Sequence, residues 1–550
     1  MSQMLKSSGA MGAATLASRG LGMCREILYA RFMGDGPVAG AFKMAFMIPN
    51  LFRRLLGEGA LTAAFIPIFK EKERTSGERE MWHAANAVIS GLLIAAGAII
   101  GLVLIGISLV LISDSPQTLG GLWRTTGAET GADWARPSFP APGWLSPDTR
   151  LMLQLLRVMF PYMLLVCLAA AFMGMLNSRG FFFIPAMGAA VLNGILIVTV
   201  LWAAPRFGRT LEEQIFALAI GVLIAGIAQA AYQLPLLWRE GFRYRWTRPW
   251  HNETVRTVVR RMVPGMLGVA AFQMNVLLTQ GIAFAFDPQI VASFDYAVRL
   301  MELPQGVFGI SLATFLLPAL SGLAAEKKYA EFRATVGQAL GYLIFVNLIA
   351  SVCLMVLAEP IIRLLFERGE FSPLATNRAS FALAGLAPGL IAFSAVNILA
   401  RSFYALGDTS TPMKISCFCL AINVVFVIAL LEPFKQGGLG IANTLSAGAN
   451  VWLLLHVLRR KLKRLELGAL RRQLVRLAGG AMLAGEVAWL CSAAWERWIG
   501  HGGLMEKTGA VFVPMGLASA TYALALLWLK VPQAREFFDL LGQNGSSKKL

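Results

Sequence analysis

At 550 residues, 57% of them hydrophobic and only 15% charged, with a positive mean hydropathy, the chain is too apolar for a soluble protein of its size. A formal charge of +18 would suit a nucleic-acid partner in a soluble chain, so the placement of the charges has to decide. The six cysteines (24, 167, 353, 417, 419 and 491) sit in or beside apolar runs without zinc or disulfide spacing, which makes them packing residues. After Lys6 no short apolar core ends in a small-residue cleavage site, so a removable signal peptide is not expected.

A bilayer takes about 20 apolar residues per helix, and on that criterion about 14 spans are expected, an all-α integral membrane protein. In chain order they run 7–33, 38–69, 84–112, 151–176, 181–204, 214–238, 262–286, 291–320, 336–358, 379–406, 414–431, 437–458, 474–498 and 509–530. With both termini inside, the inner connections include 70–80 (KEKERTSGERE), 239–261, 327–333 and 459–476 together with the C-terminal tail. They hold about 29 of the 49 Lys and Arg, which is the bias that cytoplasmic loops carry. The net charge is thereby accounted for, and nucleic acid is not expected as a partner. Residues 113–150, rich in Pro, Gly and Trp, read as an irregular outer excursion, either a surface insertion or a partner-docking lid. The tail 533–550 is expected to be disordered.

An internal repeat organises the spans. MLNSRGFFFIPAMGAAVLN at 175–193 and ALGDTSTPMKISCFCLAIN at 405–423 both have a polar turn, a proline and then Asn193 or Asn423. AAFIPIF at 63–69 and TFLLPAL at 314–320 are likewise six helices apart. The economical division is 1–240 (helices one to six), 241–460 (seven to twelve) and 461–532 (thirteen and fourteen), followed by the tail. In transporters built from parallel repeats, substrate sites lie near mid-membrane at the interface between halves.

Charged side chains inside spans cost about 2.5–3.5 kcal/mol each by insertion scales and call for a reason. In helix two Arg53, Arg54 and Glu58 interrupt PNLFRRLLGEG; Arg54 and Glu58 share a face, whereas Arg53 points away and is expected to have no partner within the helix. Helix one carries Arg19, Arg25 and Glu26, with Gly20 and Gly22 between the arginines, and Arg31 near its outer end, where it can snorkel. Arg25 and Glu26 are adjacent, point to different faces and are not expected to neutralise each other. Arg19 and Arg25 face either a ligand or a neighbouring helix. In helix eight Arg299 and Glu302 share a face ahead of Pro304, serving the site or acting as interhelical glue; helix seven, expected to begin at Pro264, carries Gln273, Asn275 and Gln280 as a cavity-lining series. With Lys43 the interior cations outnumber the acids, which suits a multiply charged anion such as a diphosphate. The histidines (83, 251, 456 and 501) lack metal-ligand spacing, and HExxH, P-loop and GxSxG motifs are missing, so the chain reads as a transporter without an ATPase or catalytic site, a metal or a cofactor.

PNLFRRLLGEGALTAAFIPIF at 49–69 resembles the second-helix signature of the lipid II flippase MurJ (MviN) family, within the multidrug/oligosaccharidyl-lipid/polysaccharide exporter superfamily. SRGLGMCRE at 18–26, RVMFPYMLL at 157–165, YQLPLLWREG at 232–241 and YAVRLMELPQGVFGISLATFLLPALS at 296–321 are similar to that family in the same order. The resemblance implies two six-helix lobes in a V around a cavity of helices one, two, seven and eight, plus helices thirteen and fourteen as a lipid-tail groove. It implies, too, a bacterial inner-membrane flippase that moves undecaprenyl-diphosphate disaccharide-pentapeptide (lipid II) to the outer leaflet by alternating access, for peptidoglycan and cell wall biogenesis. Arg19, Arg25, Arg53 and Arg299 match the family's cavity arginines and Glu302 its acid in helix eight; Glu26, Lys43, Arg54, Glu58, Gln273 and Asn275 would support them. Expected partners are lipid II, membrane lipids and the cell-wall synthesis machinery, with a coupling ion of unknown identity. Where the family has Asp, Lys and Ala, this chain has Gly40, Met47 and Gly57; Lys43 offers a replacement cation, and the lost acid bears on the coupling ion or gating contact. Rival readings are a flippase for another polyprenyl-diphosphate oligosaccharide (O-antigen or capsule), a cation-coupled multidrug exporter, a membrane-embedded transferase and a scaffold.

Overall fold

The structure, a computed structural model, describes residues 2–55, 62–114, 144–250, 252–306, 311–463, 467–536 and 539. Among the described residues there are helices and connections and no strand. In chain order the helices are α1 (Ser2–Met33), α2 (Pro37–Phe52), α3 (Thr62–Ser113), α4 (Pro147–Met159), α5 (Tyr162–Ser178), α6 (Phe183–Val198), α7 (Leu211–Ala231) and α8 (Leu234–Arg239). There follow α9 (Glu253–Phe286), α10 (Pro288–Pro304), α11 (Ser311–Ala325), α12 (Tyr329–Val356), α13 (Ala358–Phe366), α14 (Pro373–Leu386), α15 (Gly389–Ala405), α16 (Ser410–Lys461), α17 (Leu467–Trp498) and α18 (Leu504–Trp528).

The chain forms two compact units, Met1–Leu277 with Phe284–Gln289, and Leu278–Ala283 with Ile290–Leu550. In the first, α1 packs on α6, α2 on α4, α3 on α5, and α7 on both α5 and α6. Its core is an aromatic chain in which Phe65 meets Phe69, Phe69 meets Trp82, and Trp82 and Phe172 both meet Phe242, with ring centroids between 5.2 and 6.2 Å apart. In the second unit α12 packs on α15 and α17, α15 on α16, α14 on α16, and α17 on α18. There Leu340, Leu399, Phe403 and Leu458 belong to a continuous buried cluster.

Two long helices are hairpins. In α3 the chain reverses at Gly77, whose φ of 84° favours a residue without Cβ; the charged stretch 70–80, expected as a loop, is instead helical on both sides of that glycine. In α16 the reversal is at Lys435. Its arms are stitched by Ser446 Oγ donating to the Cys419 carbonyl at 2.7 Å and Asn450 Nδ2 donating to Ser416 Oγ at 3.3 Å. Gly438 allows the close turn, since a Cβ there would stand 2.1 Å from the Leu430 carbonyl oxygen.

Spans four and ten, each expected as one helix, are pairs bent by 42° (α4–α5) and 43° (α14–α15). Pro161 and Pro388 stand at the breaks, where the missing N–H and the ring interrupt the hydrogen-bond ladder. The same device thus recurs six spans apart. Span seven also differs from expectation: α9 begins at Glu253 and runs through Pro264, adding turns on which Arg256, Arg260 and Arg261 are exposed.

Among the described residues, seven helices are long and apolar enough to cross a membrane, or nine if each bent pair is one span, against about 14 expected. The 52-residue α16 counts once although it doubles back. The spans missing from that set are one, two, seven and eight, each of which includes residues whose side chains lie outside those described. Residues 115–143 of the outer excursion lie outside the described residues, but its two ends are joined: Asp114 accepts from the Leu145 N–H at 2.9 Å and from Arg150 Nε at 2.8 Å.

Candidate functional site

The first unit gathers charge where α1, α2 and α6 meet. Arg25 lies against Glu26 on its own helix, and its Nη1 donates to Asn193 Oδ1 of α6 at 2.9 Å. Asn193 Nδ2 in turn donates to the Ser18 carbonyl at 3.3 Å, so one amide ties α6 to α1 twice. From α2, Lys43 Nζ approaches Glu26 Oε2 at 4.0 Å. The side chains of Arg25, Glu26 and Lys43 are only 12%, 4% and 7% exposed, which makes their mutual compensation an energetic necessity. The Arg25 guanidinium also lies 5.4 Å from the Tyr29 ring centroid.

This arrangement corrects the expectation that Arg25 and Glu26 do not neutralise each other. Their Cβ vectors do diverge by about 100°, but a guanidinium on three methylenes folds back across the helix surface, and Asn193 fixes it there.

Arg53, just past the end of α2, donates through Nε to Asn50 Oδ1 at 2.7 Å. It therefore does have a partner within its own helix, three residues back. Arg54 is half-buried and Arg19 exposed. Glu58, the expected partner of Arg54, lies outside the described residues. Gln273 and Asn275 on α9 are buried, 6% and 7% exposed.

Arg299 belongs to the second unit and is flanked on α10 by two carboxylates, Glu302 at 3.2 Å and Asp295 at 3.6 Å. Asp295 went unnoticed in the sequence although its i,i+4 spacing to Arg299 signals it; Asn193 was visible only as a repeat marker.

Gly40 has a structural account. It is buried near the start of α2, and a Cβ there would stand 2.1 Å from the Pro288 carbonyl oxygen at the start of α10. An acid at this position has no room while α2 lies so close to that backbone. Among the described residues no group of three or more His, Cys, Asp or Glu is placed to hold a metal ion.

The sequence model of the family described as "Lipid II flippase MurJ" matches residues 29–118 and 134–508. A protein of Vibrio cholerae described as a probable lipid II flippase MurJ is 31% identical, with 96% of this chain and 97% of the relative covered. A Haemophilus influenzae protein of the same description is 32% identical over 80% of this chain and 83% of its own length. Among solved structures, "Lipid II flippase MurJ, inward closed conformation" matches with a TM-score of 0.71 at 20% identity, covering 94% of this chain and 99% of that one. An inward-facing multidrug resistance MATE transporter of the MOP superfamily matches with a TM-score of 0.56 at 16% identity, over 80% and 94% of the two chains. The structural likenesses show a shared fold. The family match and the relatives, spanning nearly the whole sequence, show that this chain belongs to the lipid II flippase MurJ family of multi-pass membrane transporters.

Proposed function

We propose that this chain moves lipid II across the inner membrane, from the inner to the outer leaflet, for peptidoglycan assembly. The observation that carries the reading is the buried charged cluster of Arg25, Lys43 and Glu26, held by Asn193, in a chain of this family. A diphosphate presents several anionic oxygens in the geometry that guanidinium forks match, and Arg53, oriented through its Nε by Asn50, offers such a fork. Arg299 can exchange a carboxylate, Asp295 or Glu302, for a phosphate oxygen, which makes its grip on an anion reversible. Holding the polar headgroup among such groups removes most of the desolvation cost that makes unassisted flipping slow.

Both termini lie on the cytoplasmic side in this reading, supported by the concentration of Lys and Arg in the connections of that side. The cycle is alternating access, exposing the charged site to one face and then the other. Its test is rescue of cells depleted of their own flippase by Arg53→Ala and Arg299→Ala, with membrane levels matched. Loss of rescue is expected for each; full rescue by both removes these residues from the mechanism.

A further inference from the structure

The apolar span formed by α7 and α8 ends at Arg239, and residues 241–250, GFRYRWTRPW, run without helix to the start of α9. This strap is fixed in place. Phe242, 1% exposed, plugs between Trp82 and Phe172, at 5.5 and 6.2 Å between ring centroids. Asn86 Nδ2 donates to the Arg243 carbonyl at 3.1 Å, the Thr247 N–H donates to Ser90 Oγ at 3.3 Å, and the Ser90 and Tyr244 hydroxyls are 3.2 Å apart. The strap therefore runs along α3, and Ser90 lies about 20 Å beyond the Gly77 reversal at ~1.5 Å rise per residue. That distance sets it back from the charged hairpin tip, beside the residue at which the apolar run 91–112 of α3 begins.

Its outward face alternates two chemistries. Trp238, Tyr244, Trp246 and Trp250 are 49%, 45%, 58% and 64% exposed, and Arg239, Arg245 and Arg248 between them are exposed as well. The single carboxylate of the stretch, Glu240, is engaged by Arg179 Nε at 3.0 Å. Arg243 has another task, donating through Nη1 to the Trp238 and Phe242 carbonyls at 3.0 Å each. Indoles and phenols prefer the headgroup region to bulk water, and guanidinium groups there bind phosphate. A merely solvated basic loop has no use for three exposed indoles.

We propose that residues 238–250 form a docking surface for the phosphate headgroups of anionic glycerophospholipids, separate from the substrate site. The test uses full-length protein in mixed micelles titrated with phosphatidylglycerol or phosphatidylcholine, counting retained lipids by native mass spectrometry. R239Q/R245Q/R248Q is expected to lower phosphatidylglycerol retention at least about five-fold, leaving phosphatidylcholine unchanged. K70Q/R74Q/R79Q, an equal charge loss from the exposed hairpin tip without aromatics, is expected to stay within about two-fold of wild type. Equal losses in both triples, or no loss in the first, would overturn the proposal. So would a parallel fall in retention of a prenyl diphosphate, which would assign the strap to the substrate. Coincident melting curves establish that the variants fold; should the triple fail, the single R248Q, whose side chain is not among those pinning the strap, carries the same comparison.

Discussion

Replacing Glu26 with Gln tests the charge balance of the α1–α2–α6 cluster directly. The substitution keeps shape and hydrogen-bonding capacity and removes one negative charge that is 3% exposed. Lys43 Nζ stands 4.0 Å from Glu26 Oε2, a separation worth about 4 kcal/mol at an effective dielectric of ~20; Arg25, in direct contact, loses at least as much. The carboxylate's own desolvation cost is recovered, so the net destabilisation falls in the range of about 3–5 kcal/mol typical of breaking a buried pair. Removing Lys43 as well takes out one of the two cations that Glu26 faces, and Glu26→Gln/Lys43→Met is expected to recover at least about 1 kcal/mol of that loss. The assay is denaturant unfolding in detergent of the wild type, both single variants and the double variant. If the two effects add within about 0.5 kcal/mol, the cluster is not an energetic unit and the argument that its charges compensate one another fails.

Gly40→Ala places a methyl group 2.1 Å from the Pro288 carbonyl oxygen, a backbone atom that cannot swing aside; a loss of about 1–3 kcal/mol is expected, and an unchanged unfolding midpoint would refute the close packing. Arg179 bridges Glu78 at 2.9 Å, Glu240 at 3.0 Å and also Glu73. Arg179→Lys should lower the unfolding midpoint, because a single ammonium cannot serve three carboxylates through a planar fork; a midpoint equal to wild type would count against the fork. The Asp408 carboxyl is held well below its usual range by the hydrogen bond from Lys461 Nζ and then by the Thr411 N–H. A lowered folded value means its contribution is complete above the ordinary carboxylate range and is lost only as pH falls through the folded value. Wild type and Asp408→Asn should therefore differ by a constant amount between pH 8 and pH 5, measured as melting temperature; a gap that closes over that interval would contradict the assignment.

What the sequence determined by itself is what local chemistry can report. Long apolar runs demand helices that satisfy their own backbone in lipid, and charges retained inside them at a cost are what single out Arg19, Arg25, Arg53 and Arg299 in helices one, two and eight as candidates. Motif order along the chain carried the family. Partners were not legible, because a partner depends on what another helix brings to the same place. Nothing near Arg25 in the sequence announces Asn193, 168 residues away, as the group that fixes its guanidinium, and Gly40 reads as a missing acid until the Pro288 carbonyl is found against it. Tertiary packing likewise turned the charged stretch 70–80 into the tip of a helical hairpin and laid the 241–250 strap along α3. Hydropathy follows composition along one dimension, whereas the cost of a buried charge is settled by whichever atoms the fold places within a few ångströms of it.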